Sequence, residues 1–302
     1  GQAQYETPNL DALAKSGVRF SQAYAGAPEC APSRGTLLTG LHAGHAPIRI
    51  NASARGQEFI PDSVVTVAEI LKGAGYNTAF VGKWGVGLSG TEGVPHKQGF
   101  DYAFGFYDQQ RAHTFFPFYL IENGVKIEYP GNYQFDMQRR YTMNSSKEPK
   151  LLNEYDENGK LILSELDDPS KAVYSQNEMD KAAFHFLNEK RKGEQPFFLY
   201  YATQLPHGPL IIDDLGEMKD NTVLPQRQRE WGAMVKRLDA FVGNLISHLK
   251  ETGQYKNTIL FFSSDNGYSM CGYMGRGNAN KNWPDDLGEM KDNTVLPQRQ
   301  RE

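Results

Sequence analysis

The amino-acid sequence predicts an α/β fold in which a mainly parallel β-sheet is flanked by helices on both faces. Amphipathic helix patterns alternate along the chain with short apolar strand patterns, an order that is typical of parallel sheets. Strand patterns such as PFFLYYA at 196–202 are apolar at consecutive positions, which indicates that both strand faces are buried. With 302 residues, 39% of them hydrophobic, the chain is long enough to bury a full core.

The first part of the chain contains two of these alternating units. Residues 7–20, TPNLDALAKSGVRF, predict a helix with Pro8 in its first turn and Gly17 at its end, followed by an extended segment. Residues 66–74, TVAEILKGA, predict a short amphipathic helix. The β-branched and aromatic segment YNTAFVGKW at 76–84 then predicts a strand that ends at a lysine.

The later part of the chain predicts two more units and one interruption. A helix pattern at 174–193 precedes the apolar strand pattern within 195–209, and a helix pattern at 230–253 precedes a strand pattern within 257–267. Residues 109–175 break this rhythm with scattered aromatic residues and turn signals. We interpret that stretch as a β-rich excursion on the surface of the domain.

Polar residues follow three of the predicted strands at their carboxyl ends. They are Lys83, His207 and the pair Asp265 and Asn266. Ligands of open α/β sheets bind beyond the carboxyl ends of the strands. The pattern therefore predicts that these side chains converge on one site.

One segment occurs twice without change. DDLGEMKDNTVLPQRQRE stands at 213–230 and again at 285–302. Structural repeats diverge in sequence and occur in arrays, whereas this is a single perfect copy. We interpret 285–302 as a duplication and not as a domain.

Composition excludes two classes of partner. The 32 basic residues are mixed among 36 acidic ones, with a net charge of −4, so no basic stripe for nucleic acid is present. No apolar run reaches 18 residues, so the sequence predicts no membrane-spanning helix.

Cys30, one of two cysteines, lies in the stretch GAPECAPSRGTLLTG at 26–40. The segment after Pro32 predicts a helix, so the cysteine lies at a helix N-terminus, where unpaired N–H groups and the helix dipole favour an anion. Arg34, one turn into that helix, can hold an oxyanion with its planar guanidinium. The alternative interpretation of the cysteine is a small buried hydrophobic residue near a loop.

The segment CAPSRGTLLTG resembles the signature of the sulfatase family. Four further segments resemble blocks of that family in the family's order: TPNLDALAKSGVRFSQAY at 7–24, GKWGVG at 82–87, PFFLYYATQLPHGP at 196–209 and FFSSDNG at 261–267. Together the blocks cover most of residues 7–268, and five ordered blocks do not arise by chance. The resemblance implies an alkaline-phosphatase-like fold, with residues 1–284 as the core of the catalytic domain.

The resemblance also implies a chemistry. In sulfatases the signature cysteine is converted after translation to formylglycine, so Cys30 would be that residue and a formylglycine-generating or sulfatase-maturating enzyme would be a partner. The substrate would be a sulfated carbohydrate or an aryl sulfate. Arg34 would steady the formylglycine hydrate, while Lys83 and His207 would bind sulfate or leaving-group oxygens, and His207 could protonate the leaving group.

The family pattern further implies a divalent cation. Asp265 and Asn266 would supply two oxygen ligands, and hard oxygen donors suit calcium first and magnesium second. Family members act in the periplasm, in lysosomes or as secreted proteins, so one of these locations is expected.

Two of the departures from the family pattern bear directly on the candidate site. The family usually carries a histidine two residues after the lysine, where this chain has Gly85; His113 is a candidate for the missing role and for substrate binding. The family's N-terminal strand with two metal-binding aspartates is not recognisable, and DDLG at 213–216 is a poor substitute because it follows the PHGP block. Two alternatives stay open: a phosphate or phosphonate monoester hydrolase on the same fold, and a non-catalytic fragment that lacks those ligands.

Overall fold

The computed structural model describes residues 5–51, 56–136, 153–190 and 195–267. These residues form two compact units. The helical unit contains the described residues up to Tyr24, those from 153 to Ile162 and those from Leu205 onward, and the sheet unit contains the rest. The interpretation of 1–284 as one domain core stays a prediction, and the second copy of the repeat lies outside the described residues.

The sheet unit is built on a five-stranded sheet with the order β4-β3-β2-β1-β5. The strands are β1 Asn77–Lys83, β2 Tyr102–Phe106, β3 Tyr119–Glu122, β4 Val125–Glu128 and β5 Phe197–Ala202. The central strand β1 runs parallel to β2 and to β5, while β3 and β4 are antiparallel additions. The carboxyl ends of β1, β2 and β5 therefore lie at the same edge of the sheet.

Helices cover both faces of this sheet. The helices of the sheet unit are α2 Cys30–Thr39, α3 Val67–Gly73 and α4 Ser175–His185. Phe80 and Ala103 are partners in the β1–β2 ladder and share one apolar cluster with residues of α2 and α3. Because neighbouring strand residues point to opposite faces, Tyr102 faces the other way, and it stacks on Phe186 just beyond α4 with ring centroids 6.1 Å apart. The predicted α/β class is confirmed.

Local sequence explains where α3 starts. Thr66 is its N-cap: the hydroxyl accepts a hydrogen bond from the Glu69 backbone N–H at 3.2 Å, and the Glu69 carboxylate accepts from the Thr66 N–H at 2.7 Å. This reciprocal capping box satisfies two amide groups that a helix start otherwise leaves without partners. The helix predicted at 66–74 is therefore confirmed, with Thr66 as its cap.

The core beneath α2 and α3 is aromatic. The ring of Phe80 on β1 meets Trp84 edge-on, with centroids 4.9 Å apart, and Trp84 meets Phe100 at 5.6 Å. The Trp84 indole N–H donates to the Gly93 carbonyl at 2.7 Å, so its one polar atom is satisfied although the side chain is fully buried. This packing fixes the chain directly after Lys83.

The stretch 109–175 contributes strands to the central sheet itself. Its hairpin of β3 and β4 turns at Asn123 and Gly124, both with positive φ, and extends the sheet beyond β2. An Asn-Gly pair favours this kind of tight turn. Residues 137–152 of the stretch lie outside the described residues.

The helical unit is organised by a long helix, α5 Gln226–Glu251, and by α1 Pro8–Ser16. The Asp239 carboxylate on α5 accepts hydrogen bonds from the backbone N–H groups of Asn9 at 3.3 Å and Leu10 at 2.8 Å. A carboxylate at the first turn of α1 satisfies otherwise unpaired amides and complements the helix dipole. Neither these helices nor the others among the described residues are long and apolar enough to cross a membrane.

The strand predicted within 257–267 is wrong for this structure. These residues form no strand, and Ile259 and Phe261 are 80% and 87% exposed. A strand needs a neighbouring strand for its backbone hydrogen bonds, and the described part of the helical unit offers only isolated bridges, Tyr155 to Leu161 and Lys160 to Asp214. An apolar run alone does not provide a pairing partner.

Candidate active site

Cys30 is the first residue of α2. The helix begins two residues earlier than Pro32 predicts, and Glu29 precedes it in an extended conformation. The Asn51 side-chain oxygen accepts the Ala31 backbone N–H at 2.8 Å. The buried cysteine therefore lies at the positive end of the helix dipole, in accordance with the sequence-based expectation.

Arg34 connects the start of α2 to the end of β1. Its Nε donates to the Cys30 carbonyl at 3.1 Å, and its Nη1 donates to the carbonyls of Lys83 at 2.8 Å and Trp84 at 3.0 Å. Its Nη2 donates to the Gln109 Oε1 at 2.8 Å. The side chain is only 2% exposed, so these bonds fix a buried cation between the cysteine and the lysine.

Lys83 is the last residue of β1 and is paired in register with Phe106. Its side chain is only 4% exposed, and its Nζ lies 3.0 Å from the Nε2 of His113. When Lys83 is an ammonium group, which can only donate, the Nε2 accepts and the imidazole proton is on Nδ1. The structure therefore places the sequence candidate His113 directly on the sequence candidate Lys83.

The turn that carries His113 is itself held from two sides. Residues Arg111–His113 form a single 3-10 turn. The Gln204 amide donates to the Ala112 carbonyl at 2.6 Å, and Arg111 pairs with the buried carboxylate of Asp136 at 2.6 Å. These contacts reduce the freedom of the imidazole against Lys83.

Sequence reasoning missed Gln109. This residue is buried, and its side-chain oxygen accepts from Arg34 while its backbone N–H donates to the Gln57 Oε1 at 2.8 Å. A glutamine in a loop carries no spacing signal of its own. The signal that could have found it is Gly85, where the family's usual side chain is absent and space is left for another group.

In the sheet unit the structure thus joins four of the predicted residues by direct contacts: Cys30 to Arg34, Arg34 to Lys83 and Lys83 to His113. Arg34 and Lys83 are both buried, and Arg34 binds the backbone carbonyls of Cys30 and Lys83. Fixed cations in a site shielded from water stabilise an anionic ligand and the negative charge that develops on it. The arrangement suits a tetrahedral oxyanion.

The other predicted site residues belong to the helical unit. His207 is half-buried, and its Nδ1 lies 2.6 Å from the Gly208 carbonyl oxygen, which fixes the orientation of the ring. Its approach to Cys30 stays a prediction of the sequence.

Asp265 and Asn266 are half-buried in the turn that ends the described residues. The Asn266 Nδ2 donates to the Gly267 carbonyl at 3.0 Å, whereas its buried Oδ1 has no hydrogen-bond partner within the described ranges. An unsatisfied buried amide oxygen is a donor that fits a hard cation. Among the described residues no group of three His, Cys, Asp or Glu side chains forms a metal cluster, so these two oxygens are at most part of a coordination shell.

Asp213 and Asp214, the weak substitutes for the family's metal-binding aspartates, are in ion pairs. Asp213 pairs with Arg237 at 3.1 Å and Asp214 with Lys160 at 2.7 Å. Burial tends to raise the pKa of Asp214, but the hydrogen bonds from Lys160 and from the Gly216 N–H lower it overall. These ion pairs compensate the charge of both carboxylates without a metal ion.

Comparison with known proteins gives a consistent picture. Residues 1–289 match the Sulfatase family. Mouse N-acetylgalactosamine-6-sulfatase is 33% identical over 294 residues, covering 93% of this chain and 49% of the relative. The arylsulfatase of Klebsiella aerogenes is 30% identical over 300 residues, covering 86% of this chain and 61% of the relative.

A solved structure supports the same relationship. The crystal structure of Ps i-CgsB in complex with k-i-k-neocarrahexaose is 28% identical to this chain, with a TM-score of 0.60 over 83% of this chain and 51% of that one. The chain spans about half the length of the curated mammalian relatives that it matches.

Proposed function

The chain belongs to the sulfatase family, and on that premise we propose that it hydrolyses sulfate esters of carbohydrates or aryl alcohols, with Cys30 as the residue that is converted to formylglycine. The observation that carries the proposal is the contact series from Cys30 through Arg34 to Lys83 and His113. A lone thiol at a helix start has little meaning, but here the buried Arg34 binds the backbone carbonyls of both Cys30 and Lys83, and fixed cations support reaction at an anionic centre.

Cys30 is the nucleophile in this proposal. When the side chain is converted, its hydrated aldehyde supplies one hydroxyl for attack on sulfur and a second whose deprotonation releases sulfate, a route that a serine ester lacks. The position of Cys30 at the N-terminus of α2 adds the positive end of a helix dipole to that reaction.

The cations of the sheet unit stabilise the charge. Arg34 is fixed beside Cys30 through the Cys30 carbonyl and steadies the hydrate. Lys83 binds a sulfate oxygen or the leaving oxygen, and His113, which accepts from Lys83, holds the ammonium in place and contacts the substrate. His207 binds a sulfate oxygen or protonates the leaving alkoxide.

A divalent cation completes the proposed site. Asp265 and the unsatisfied oxygen of Asn266 would hold it, with calcium preferred over magnesium because the donors are hard oxygens. Such a cation would supply positive charge to the sulfate oxygens. The remaining ligands come from other groups, since calcium takes about six to eight oxygen ligands.

The proposed activity implies a partner and a location. Conversion of Cys30 requires a formylglycine-generating or sulfatase-maturating enzyme. We propose the periplasm, the lysosome or the extracellular space as the site of action, on the grounds of family habit.

Intact mass and paired substrates test this proposal. Conversion of Cys30 lowers the mass by about 18 Da, since a sulfur is exchanged for oxygen and two hydrogens are lost. We expect the converted protein to hydrolyse an aryl sulfate, and Cys30→Ala, the matched control, to be inactive. Hydrolysis of only the corresponding aryl phosphate would contradict the proposal in favour of a phosphate or phosphonate ester hydrolase. An unconverted Cys30 without activity, after co-expression with a maturating enzyme, would favour the non-catalytic alternative.

A further inference from the structure

A cavity of about 270 Å³ lies at the carboxyl end of β2. Its lining includes Gly105, Phe106 and Tyr107, which end β2 or follow it directly. Tyr119 also lines it and begins β3, which runs antiparallel to β2, so this residue lies beside the same strand end. A second cavity of about 210 Å³ adjoins the first, because Ser89 and Tyr107 line both. The two cavities together are called the β2 groove below.

The β2 groove adjoins the contact between Lys83 and His113 on two sides. Phe106 lines the groove and is the ladder partner of Lys83. Arg111 also lines the groove and belongs to the same single turn as His113. Ligands of open α/β sheets bind beyond the carboxyl ends of the strands, where both features lie. A substrate whose ester lies at Lys83 can therefore extend into the groove.

The charged side chains that line the β2 groove are mostly basic. The cations are Lys97, Arg111 and Lys126, while Asp108 supplies a carboxylate. The Asp108 Oδ1 accepts the Arg111 backbone N–H at 3.0 Å, and the Arg111 side chain pairs with Asp136 at 2.6 Å. Lys97 and Lys126 are exposed, so their ammonium groups reach the solvent side of the groove. The balance of charge favours an anionic ligand.

The ring of Tyr119 holds two of these cations in place. The Arg111 Cζ lies 4.1 Å from the ring centroid, and the Lys126 Nζ lies 4.5 Å from it. Both distances are typical of cation–π contacts. Lys126 is also in register with Ile121 in the β3–β4 ladder, so it shares a sheet face with a residue that lines the groove. A restrained lysine loses less conformational entropy when it binds an anion.

The rest of the lining of the larger cavity is largely apolar. Leu88, Phe106 and Ile121 form this part of the wall. Small-molecule sites combine such a wall with a few polar groups, and their volumes begin at about 300 Å³. A cavity of about 270 Å³ therefore suits one sugar residue, whose C–H groups pack on the apolar wall while its polar substituents meet the charged side chains.

We propose that the β2 groove is a subsite for a sugar residue that carries an anionic group, next to the sugar that carries the reactive sulfate ester. Lys126 binds the anionic group, with Arg111 and Tyr119 holding the sugar. The substrate is then an acidic oligosaccharide and not an aryl sulfate, which has no second sugar to place in the groove. This inference rests on the proposed function for the position of the ester.

The test uses two kinds of sulfated sugar as probes. One is a disaccharide with a single sulfate ester, and the other is a series of its counterparts with a second sulfate at each free hydroxyl of the neighbouring sugar. Dissociation constants are measured by calorimetry at fixed ionic strength on the full chain with Cys30→Ala, so that no probe is turned over. The preference is the dissociation constant of the singly sulfated probe divided by that of the tightest doubly sulfated one.

We expect this preference to be about threefold to fivefold in the Cys30→Ala parent, the usual size of one largely exposed charge pair. Adding Lys126→Met should remove most of it, Lys126→Glu should reverse it and Lys126→Arg should keep it. The matched control is Lys181→Met, which removes the same charge from the exposed surface of α4. It should change the preference by less than about 1.5-fold, because its charge is screened. Thermal unfolding near the parent midpoint establishes that each variant keeps its fold.

A parent without preference, or an equal preference in the parent and Lys126→Glu, would overturn the inference, and so would a parent that binds neither probe. If the converted protein still hydrolyses an aryl sulfate in these cases, the proposed function stands while the inference fails. Conversely, a preference that depends on Lys126 in a protein that hydrolyses no sulfate ester after conversion of Cys30 would overturn the proposed function. The groove would then remain a binding site for acidic sugars.

Discussion

The Lys83 Nζ lies 3.0 Å from the His113 Nε2 at the carboxyl end of the central strand. Thirty residues separate the two along the chain. The lysine is buried, so its position is determined by the strand below and by the imidazole above. The contact joins the end of β1 to a turn that lies outside the strand.

This contact predicts opposite effects on activity and stability. Lys83→Met removes a cation from the oxyanion site, and we expect kcat/KM for an aryl sulfate to fall about 10²- to 10³-fold, the usual cost of one such group. The free energy of unfolding should stay the same or rise, because burying an ammonium group is expensive. His113→Ala should lower both quantities, since it removes the acceptor of a buried charge, and His113→Gln should recover part of each. Unchanged kcat/KM in Lys83→Met would remove Lys83 from the site.

Glu230 predicts a pH dependence of stability. Its Oε1 accepts from Asn153 at 2.9 Å and from Gln226 at 3.0 Å, while its Oε2 is buried and has no partner among the described residues. Burial raises the pKa of Glu230, and the hydrogen bonds offset this only in part. The folded state therefore binds the proton of Glu230 more tightly than the unfolded state does. The contribution of Glu230 to the free energy of unfolding is fully present below its unfolded pKa and is lost as pH rises through its folded pKa.

Glu230→Gln should remove that dependence. We expect the variant to be more stable than the parent at neutral pH and its urea-derived free energy of unfolding to change less between about pH 4 and pH 8. The same pH slope in both proteins would mean that Glu230 is not the titrating group.

Asp101 predicts the reverse behaviour. Its carboxylate pairs with Lys72 at 2.7 Å and accepts from the Thr78 N–H at 3.2 Å and from the Thr78 hydroxyl at 3.1 Å. Burial acts to raise the pKa of Asp101, but these hydrogen bonds together lower it. The stability that it contributes is present above the unfolded pKa and is lost as pH falls through the folded pKa.

Asp101→Asn should therefore cost about 1 kcal/mol at neutral pH, a modest value because the pair with Lys72 is largely exposed. The difference between variant and parent should close in acid, as measured by urea unfolding. Asp220→Asn serves as the control, since Asp220 pairs with Lys219 on the exposed surface. A difference that persists at low pH would assign the effect to packing and not to charge.

Alanine substitutions at two glycines are expected to change stability in opposite directions. A Cβ at Gly82 would lie 2.0 Å from the Ala202 carbonyl oxygen of the neighbouring strand, and its φ is +121°. At Gly73, the last residue of α3, a Cβ meets nothing within 4 Å. Gly82→Ala should lower the thermal midpoint strongly or prevent folding, because backbone on the facing strand cannot move aside. Gly73→Ala should gain about 0.5–1 kcal/mol, since alanine favours the helix; a loss there would contradict the account.

Several elements could be predicted from local sequence. Thr66 and Glu69 predict the start of α3. The β-branched and aromatic run at 76–84 predicts β1, with Lys83 at its end. These patterns succeed because caps and side-chain periodicity act over a few residues. The segment 257–267 shows the limit of such patterns, since its apolar run found no strand to pair with.

The sequence by itself determined the α/β class, the family and the placement of Cys30 at the start of a helix, because all of these depend on short-range order along the chain. Only the tertiary structure decided that Arg34 binds the Lys83 carbonyl 49 residues away and the Gln109 amide 75 residues away, and that His113 faces Lys83. Such contacts depend on where strands end and how loops return, and no spacing in the chain encodes those distances. Likewise, only the tertiary structure shows that a Cβ at Gly85 would lie 2.3 Å from the Gln109 Oε1.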